Sequence, residues 1–139
     1  MEPDSLSDFL GTWRFSRLIR DAQGGEIGQV TGIVTITGDS AEARYDEVGE
    51  MVLPGQTPLK AERRYLWRAD PAGIAVSFDD GRPFHLIRLT QPEPEAELWC
   101  DPDTYRVAYD FTLWPVWTAT WRVTGPRKDY VMVTAYERA

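Results

Sequence analysis

Cysteine and histidine are almost absent from this chain, which contains one of each in its 139 residues, Cys100 and His85. A single cysteine excludes a disulfide within the chain. The segment Cys100-Asp101-Pro102-Asp103 also lacks the second thiol or the nearby imidazole that a transition-metal site requires. No phosphate-binding loop, dinucleotide fingerprint or Gly-x-Ser-x-Gly nucleophile motif occurs. We therefore expect neither a metal nor another cofactor.

An excess of positive charge and long apolar runs are also missing. The chain carries 15 basic and 22 acidic residues, for a net charge of -7, and this balance opposes nonspecific binding to nucleic acid or to an anionic membrane. No apolar run is long enough to cross a bilayer, and Met1-Glu2-Pro3-Asp4 is not the start of a signal segment. These features predict a cytoplasmic protein with neither nucleic acid nor a membrane as its partner.

Sequence suited to helices is confined to one turn, between Ser5 and Leu10. In contrast, the six Trp, six Tyr and five Phe are many for this length and are typical of β-rich proteins. Alternating apolar and polar residues, separated by Gly, Pro and Asp turns, predict about ten strands. The predicted strands span 12–20, 26–37, 41–52, 59–69, 73–78, 83–89, 96–100, 104–112, 117–124 and 129–138.

The short connections between these strands leave no room for crossover helices, so we expect an antiparallel meander. An open sheet of ten strands would expose its edges, and closure into a barrel removes them. The sequence therefore predicts one all-β domain over residues 1–139, a closed antiparallel barrel with one short N-terminal helical turn. A β-sandwich is the alternative that strand periodicity leaves open.

The start of the first strand carries a motif, Gly11-Thr12-Trp13. A Gly-x-Trp at this place resembles the N-terminal signature of the calycins, the class of lipocalins and fatty-acid-binding proteins. The resemblance implies a barrel that encloses a cavity. It also implies that Trp13 closes one end of the barrel beneath an arginine from the last strand, for which Arg138 is the candidate.

Alternation from Trp13 places Phe15, Arg17 and Ile19 on the inward face. In the fourth strand, the same reasoning puts Arg63 inside with Tyr65 and Trp67. A buried guanidinium requires a carboxylate, water or a ligand. Arg17 and Arg63 are therefore candidates to bind an anionic group, unless one or both lie at the rim with the guanidinium in water.

Further candidates lie in later strands. His85 alternates with Ile87 and Leu89, and Tyr105 and Tyr109 share a face with each other. His85 and Tyr109 are candidate acid–base groups, although a histidine or tyrosine in such a strand more often has a hydrogen-bonded structural role. Trp121 lies on the apolar face of its strand and is a candidate to line the cavity.

The chain also resembles a family of short bacterial and fungal proteins that is catalogued as a domain of unknown function. The resemblance is carried by four segments: Phe9–Trp13, Pro83-Phe84-His85, Cys100-x-x-Asp103-x-Tyr105-x-x-x-Tyr109 and Trp121–Tyr130. It implies a calycin-like barrel and no particular activity. It also draws attention to Asp103, Arg127, Lys128 and Tyr130. The turn 125–128 offers two cations to an anion at a barrel mouth, or it is only a polar hairpin turn.

From these observations we expect a protein that binds a small apolar or aromatic molecule with an anionic group inside the barrel. The first alternative is a cofactor-independent isomerase, lyase or hydrolase acting on such a molecule. The second is an interaction protein whose barrel is filled solid. The expected lining residues are Arg17, Arg63, Tyr65, Trp67, His85, Tyr105, Tyr109, Trp121, Arg127, Lys128 and Tyr130.

Overall fold

The computed structural model describes residues 1–139 and contains ten strands and one 3₁₀ turn. All ten strands predicted from the sequence are present, and every paired strand is antiparallel to its neighbours. The elements are the turn η1 (Leu6–Phe9) and the strands β1 (Gly11–Asp21), β2 (Glu26–Gly38), β3 (Glu42–Val52), β4 (Leu59–Asp70), β5 (Gly73–Phe78), β6 (Pro83–Arg88), β7 (Glu95–Cys100), β8 (Asp103–Asp110), β9 (Trp117–Thr124) and β10 (Asp129–Arg138).

The strands form one sheet in the order β6-β5-β4-β3-β2-β1-β10-β9-β8-β7. The sheet curls until its two edge strands, β6 and β7, approach each other, so the barrel is nearly closed. This confirms the predicted antiparallel barrel and rules out the sandwich. No helix in the structure has the length and apolar character needed to span a membrane.

One end of the barrel is closed by the tryptophan of the Gly-x-Trp motif. Trp13 is fully buried, and its Nε1 donates a 2.9 Å hydrogen bond to the Phe9 carbonyl. The Arg138 guanidinium carbon lies 3.9 Å from the centre of a Trp13 ring, and Arg138 also donates to the carbonyls of Leu10 and Asp8 at 2.8 and 2.6 Å. The expected pairing of Trp13 with Arg138 is therefore confirmed.

A cluster of aromatic side chains fills the barrel above this closed end. Phe9 makes edge-on contacts with Trp67, Phe111, Trp114 and Trp117, with ring centres 4.9 to 5.6 Å apart. Because these rings occupy the closed end, the space left inside the barrel lies toward the opposite end, where β8 and β10 begin.

Candidate functional site

The barrel encloses a small inner cavity of about 40 Å³, which is enough for a few water molecules. Its wall combines aromatic side chains with a few polar and charged groups, and the lining residues come from eight strands. The lining residues are Arg17, Tyr45, Glu47, Arg63, Tyr65, Trp67, Val76, Phe84, His85, Tyr109, Trp117, Ala119, Trp121 and Tyr136.

A larger cavity of about 340 Å³ forms the mouth of the barrel. Four residues, Arg63, Tyr65, Phe84 and Trp121, line both cavities. The rings of Phe84 and Trp121 are stacked, with centres 5.1 Å apart, so they form part of the partition between the inner cavity and the mouth. The mouth is lined by Arg63, Tyr65, Phe78, Arg82, Phe84, Leu98, Cys100, Tyr105, Trp121, Tyr130 and Met132. The barrel is therefore not filled solid.

Arg17 forms a buried ion pair with Glu47 in the wall of the inner cavity. The guanidinium donates to both carboxylate oxygens at 2.7 and 2.8 Å, and its Nε donates to the Thr134 hydroxyl at 2.8 Å. The two charged side chains are only 5% and 2% exposed. Burial opposes the ionisation of Glu47, but the hydrogen bonds and the charge of Arg17 outweigh it and keep the pKa of Glu47 below its usual range. Arg17 thus has its counterion within the protein.

Two buried tyrosines extend this ion pair. The Tyr45 hydroxyl donates to Glu47 Oε1 at 2.7 Å and lies 3.0 Å from the Tyr136 hydroxyl. Burial raises the pKa of Tyr136 to about 12 and that of Tyr45 well above its ordinary value. Both phenols are therefore uncharged near neutral pH, and they can donate hydrogen bonds inside the barrel.

A second polar pair is formed by His85 and Tyr109. The Tyr109 hydroxyl lies 2.7 Å from His85 Nε2, and burial lowers the pKa of His85 to about 4, so the imidazole is neutral near pH 7. His85 Nδ1 has no hydrogen-bond partner, and neither does Nε1 of Trp117. Both side chains belong to the wall of the inner cavity. Two side chains of this wall therefore each contain a buried nitrogen whose hydrogen-bonding capacity the protein leaves unused.

A bulge in β6 explains why two successive residues of that strand reach the interior. His85 pairs with Val76, but Pro83 pairs with Ser77, so Phe84 is an extra residue in the ladder. A bulge of this kind breaks the alternation of side chains between the two faces. As a result, both Phe84 and His85 line the inner cavity.

Most of the site residues predicted from the sequence line one or both of the two cavities. Arg63 reaches both cavities, is 38% exposed and has its Nε 3.9 Å from Glu47 Oε2. Arg63 thus lies near the rim, whereas Arg17 does not. The inner cavity contains Arg17, Arg63, Tyr65, Trp67, His85, Tyr109 and Trp121, and the mouth contains Arg63, Tyr65, Tyr105, Trp121 and Tyr130.

Arg127 and Lys128 line neither cavity. Both are exposed on the turn between β9 and β10, and Lys128 Nζ lies 2.9 Å from Asp103 Oδ2. Lys128 is neutralised by this carboxylate and lies next to Tyr105, which lines the mouth. Residues 125–128 form a polar turn at the surface, and anion binding by Arg127 and Lys128 stays a prediction.

The residues predicted from the sequence did not include Glu47, the partner of Arg17, or the two tyrosines next to it. A signal for Glu47 was present, because Ala43, Tyr45 and Glu47 alternate along β3 and all three are buried. A carboxylate on the same face as a buried tyrosine was the natural partner for an inward arginine. Phe84 had no such signal, since only the bulge turns it inward.

Comparison with solved structures shows that this fold is shared. The barrel is similar to that of the S-type phycobiliprotein lyase CPES from Guillardia theta, with a TM-score of 0.64 and 10% sequence identity, over 96% of this chain and 89% of the other. The likeness supports the calycin-like barrel expected from Gly11-Thr12-Trp13. No curated protein sequence matches significantly.

The expected membership of an uncharacterised family is confirmed at the level of sequence. The profile of the family of unknown function DUF6314 matches residues 9–138, and the chain belongs to that family.

Proposed function

We propose that this protein binds a small, partly aromatic molecule that carries an anionic group and enters through the mouth of the barrel. The observation that carries the proposal is the mouth itself, a cavity of about 340 Å³ with aromatic walls and Arg63 beside its passage to the inner cavity. This volume lies within the range of small-molecule sites, which are mostly apolar with a few polar groups that orient the ligand.

The aromatic walls of the mouth favour a flat ligand. Phe84 stacks on Phe78, Tyr65 and Trp121, with ring centres 4.5, 5.7 and 5.1 Å apart and interplanar angles of 13 to 24°. The Phe84 ring is therefore nearly parallel to each of the other three, although Tyr65 and Phe78 are tilted by 46° to each other. A planar conjugated molecule gains both apolar burial and ring contacts on such a surface.

Arg63 is the residue best placed to hold the anion. Glu47 already accepts two hydrogen bonds from Arg17, and Arg63 approaches that carboxylate only to 3.9 Å. Arg63 therefore keeps most of its donor capacity, and it is shielded enough for a charged hydrogen bond to contribute strongly. Arg17 was also predicted from the sequence to bind the anion, but in this proposal it forms the buried ion pair with Glu47.

The anion-binding role is tested with anilinonaphthalene sulfonate, an aromatic anion whose fluorescence rises in apolar sites. Arg63→Gln should weaken its binding by about tenfold or more, because a hydrogen bond to a charged group contributes roughly 1.5–3 kcal/mol. The matched control is Arg14→Gln, since Arg14 lies on the outer surface with its side chain 60% exposed. Equal affinities in the wild type and Arg63→Gln would contradict the assignment.

The natural ligand can be sought directly. Native mass spectrometry of freshly purified protein should show a mass excess that disappears on denaturation. In addition, Cys100 is the single thiol of the chain and lines the mouth, so its labelling by iodoacetamide reports occupancy. Bound ligand should slow this labelling in the wild type, and an unchanged labelling rate would argue against binding in the mouth.

A cofactor-independent enzyme is the second candidate, and the pairing of His85 with Tyr109 favours it. A neutral imidazole 2.7 Å from a phenol at a cavity wall is a proton-transfer pair of the kind that acid–base catalysis uses. If the recovered ligand is converted by the wild type and only bound by Tyr109→Phe, the protein is an enzyme. If the ligand remains unchanged on prolonged incubation with the wild type, the protein acts as a carrier.

A further inference from the structure

We infer that the inner cavity is a second subsite, which takes an uncharged hydrogen-bonding group, a carbonyl or a hydroxyl, at the leading end of the ligand. The inference rests on the proposed function, since it assumes a molecule whose anionic end lies at Arg63 in the mouth. It adds a chemical class for the other end of that molecule.

The electrostatics of the inner cavity select against a charged group. Arg17 and Glu47 neutralise each other through two hydrogen bonds, and His85 and Tyr136 are both uncharged near neutral pH. The remaining cation of the wall, Arg63, is engaged by the anionic end of the ligand in this proposal. A second buried charge would therefore lose its hydration without gaining a free counterion, which is costly. A neutral polar group avoids that cost.

The unused hydrogen-bonding groups of the wall specify what the neutral group must do. The Trp117 indole N–H can only donate, so it requires an acceptor. His85 Nδ1 lacks a partner whichever ring nitrogen carries the proton. A buried polar group without a hydrogen bond is unfavourable. A ligand carbonyl that accepts from the Trp117 N–H or from a protonated His85 Nδ1 therefore gains affinity once a small ring rotation brings that nitrogen to the cavity, and a hydroxyl gains it with either tautomer of His85. An apolar group of the same shape does not.

Size and position restrict the group further. The inner cavity has about 40 Å³ and shares Arg63, Tyr65, Phe84 and Trp121 with the mouth. A carbonyl or hydroxyl on a flat ring can pass between these side chains while the ring stays against the stacked aromatics. A bulkier polar group exceeds the space available.

The experiment uses two probes of nearly equal shape. Both para-acetylbenzoate and para-isopropylbenzoate carry a carboxylate and a ring, but only the first ends in a carbonyl. Calorimetry should show that the wild type binds para-acetylbenzoate about five- to tenfold more tightly, as expected for one added hydrogen bond. Heteronuclear NMR should show a shift of the Trp117 indole N–H resonance with the acetyl probe and a much smaller one with the isopropyl probe.

Variants then locate the preference. Trp117→Phe and His85→Phe each remove one unused nitrogen, and at least one of them should reduce the preference for the acetyl probe to less than about twofold. His85→Phe keeps the inference testable if the tightly packed Trp117→Phe variant does not fold. A preference that survives in both variants would overturn the inference.

The outcomes also separate this inference from the proposed function. If the wild type binds both probes equally and Arg63→Gln binds both more weakly, the anion-binding role of Arg63 is supported and the inner subsite is refuted. If neither probe binds, both proposals fail for aromatic acids. If the acetyl probe is preferred and the Trp117 resonance moves, the inner subsite is supported.

Discussion

Replacing Glu47 by Gln should be among the most destabilising conservative changes in this protein. The carboxylate is 2% exposed, accepts two hydrogen bonds from Arg17 and receives a third from the Tyr45 hydroxyl. Glutamine keeps the size of the side chain but removes the charge, and one of its two terminal atoms becomes a donor. Arg17, which is 5% exposed, is then left as a buried cation without a counterion.

The size of the effect follows from that uncompensated charge. Removing one partner of a buried ion pair typically costs about 3–5 kcal/mol, whereas an exposed pair contributes roughly 0–1 kcal/mol. The exposed pair Arg14–Glu137 provides a matched control, because its side chains are 60% and 59% exposed and its atoms are 3.3 Å apart. We therefore expect Glu47→Gln to cost several times more than Glu137→Gln.

Urea unfolding followed by tryptophan fluorescence measures both costs. The double variant Arg17→Met/Glu47→Leu should recover most of the loss, since replacing a whole buried pair by apolar side chains is often neutral or stabilising. Acid should act in the same direction as the single variant: the pKa of Glu47 is lowered in the folded protein, so its stabilising effect is present above about pH 4.3 and is lost as the pH falls further. A cost below about 1 kcal/mol for Glu47→Gln would refute this account of the ion pair.

Three other perturbations have defined outcomes. Burial lowers the pKa of His85 to about 4, so stability should fall by up to roughly 3 kcal/mol between about pH 6.5 and 4, and urea titrations of His85→Gln should lack that decline. Arg138→Ala removes the cation that lies 3.9 Å from the Trp13 ring, and thermal unfolding should show a loss of about 1–2 kcal/mol, of which Arg138→Lys recovers only part. At Gly125 an added Cβ would overlap Asp103 Oδ1, so Gly125→Ala should cost about 1–3 kcal/mol by urea unfolding. The same change made in an Asp103→Ala background should cost much less, and equal costs in the two backgrounds would contradict the overlap.

Much of the fold follows from local features of the sequence. Turn residues separate ten alternating segments, and alternation from Trp13 correctly orients Phe15 and Arg17, both of which are buried. The same reasoning applied to β4 brought Tyr65 and Trp67 to the lumen. These predictions succeed because successive side chains of a strand lie on opposite faces, whatever the strand pairs with.

The candidate site depended on the pairing of strands that are distant along the chain. Glu47 lies 30 residues from Arg17, and the two meet only because β2 joins β1 to β3 in one particular register. Phe84 faces inward because the β5–β6 ladder contains a bulge, which alternation alone does not predict.

By itself, the sequence determined the strands and, apart from the bulge in β6, their inward faces, since these depend on residues a few positions apart. The closed end at Trp13 was implied by the resemblance of Gly11-Thr12-Trp13 to the calycin signature. Only the tertiary structure decided that Arg17 has an internal counterion, that Arg63 reaches the mouth and that Arg127 stays outside. It also decided that the lumen consists of an inner cavity and a mouth. The physical reason is that register, bulges and closure set the distances between side chains on different strands, and those distances determine which charges pair and which polar groups remain available to a ligand.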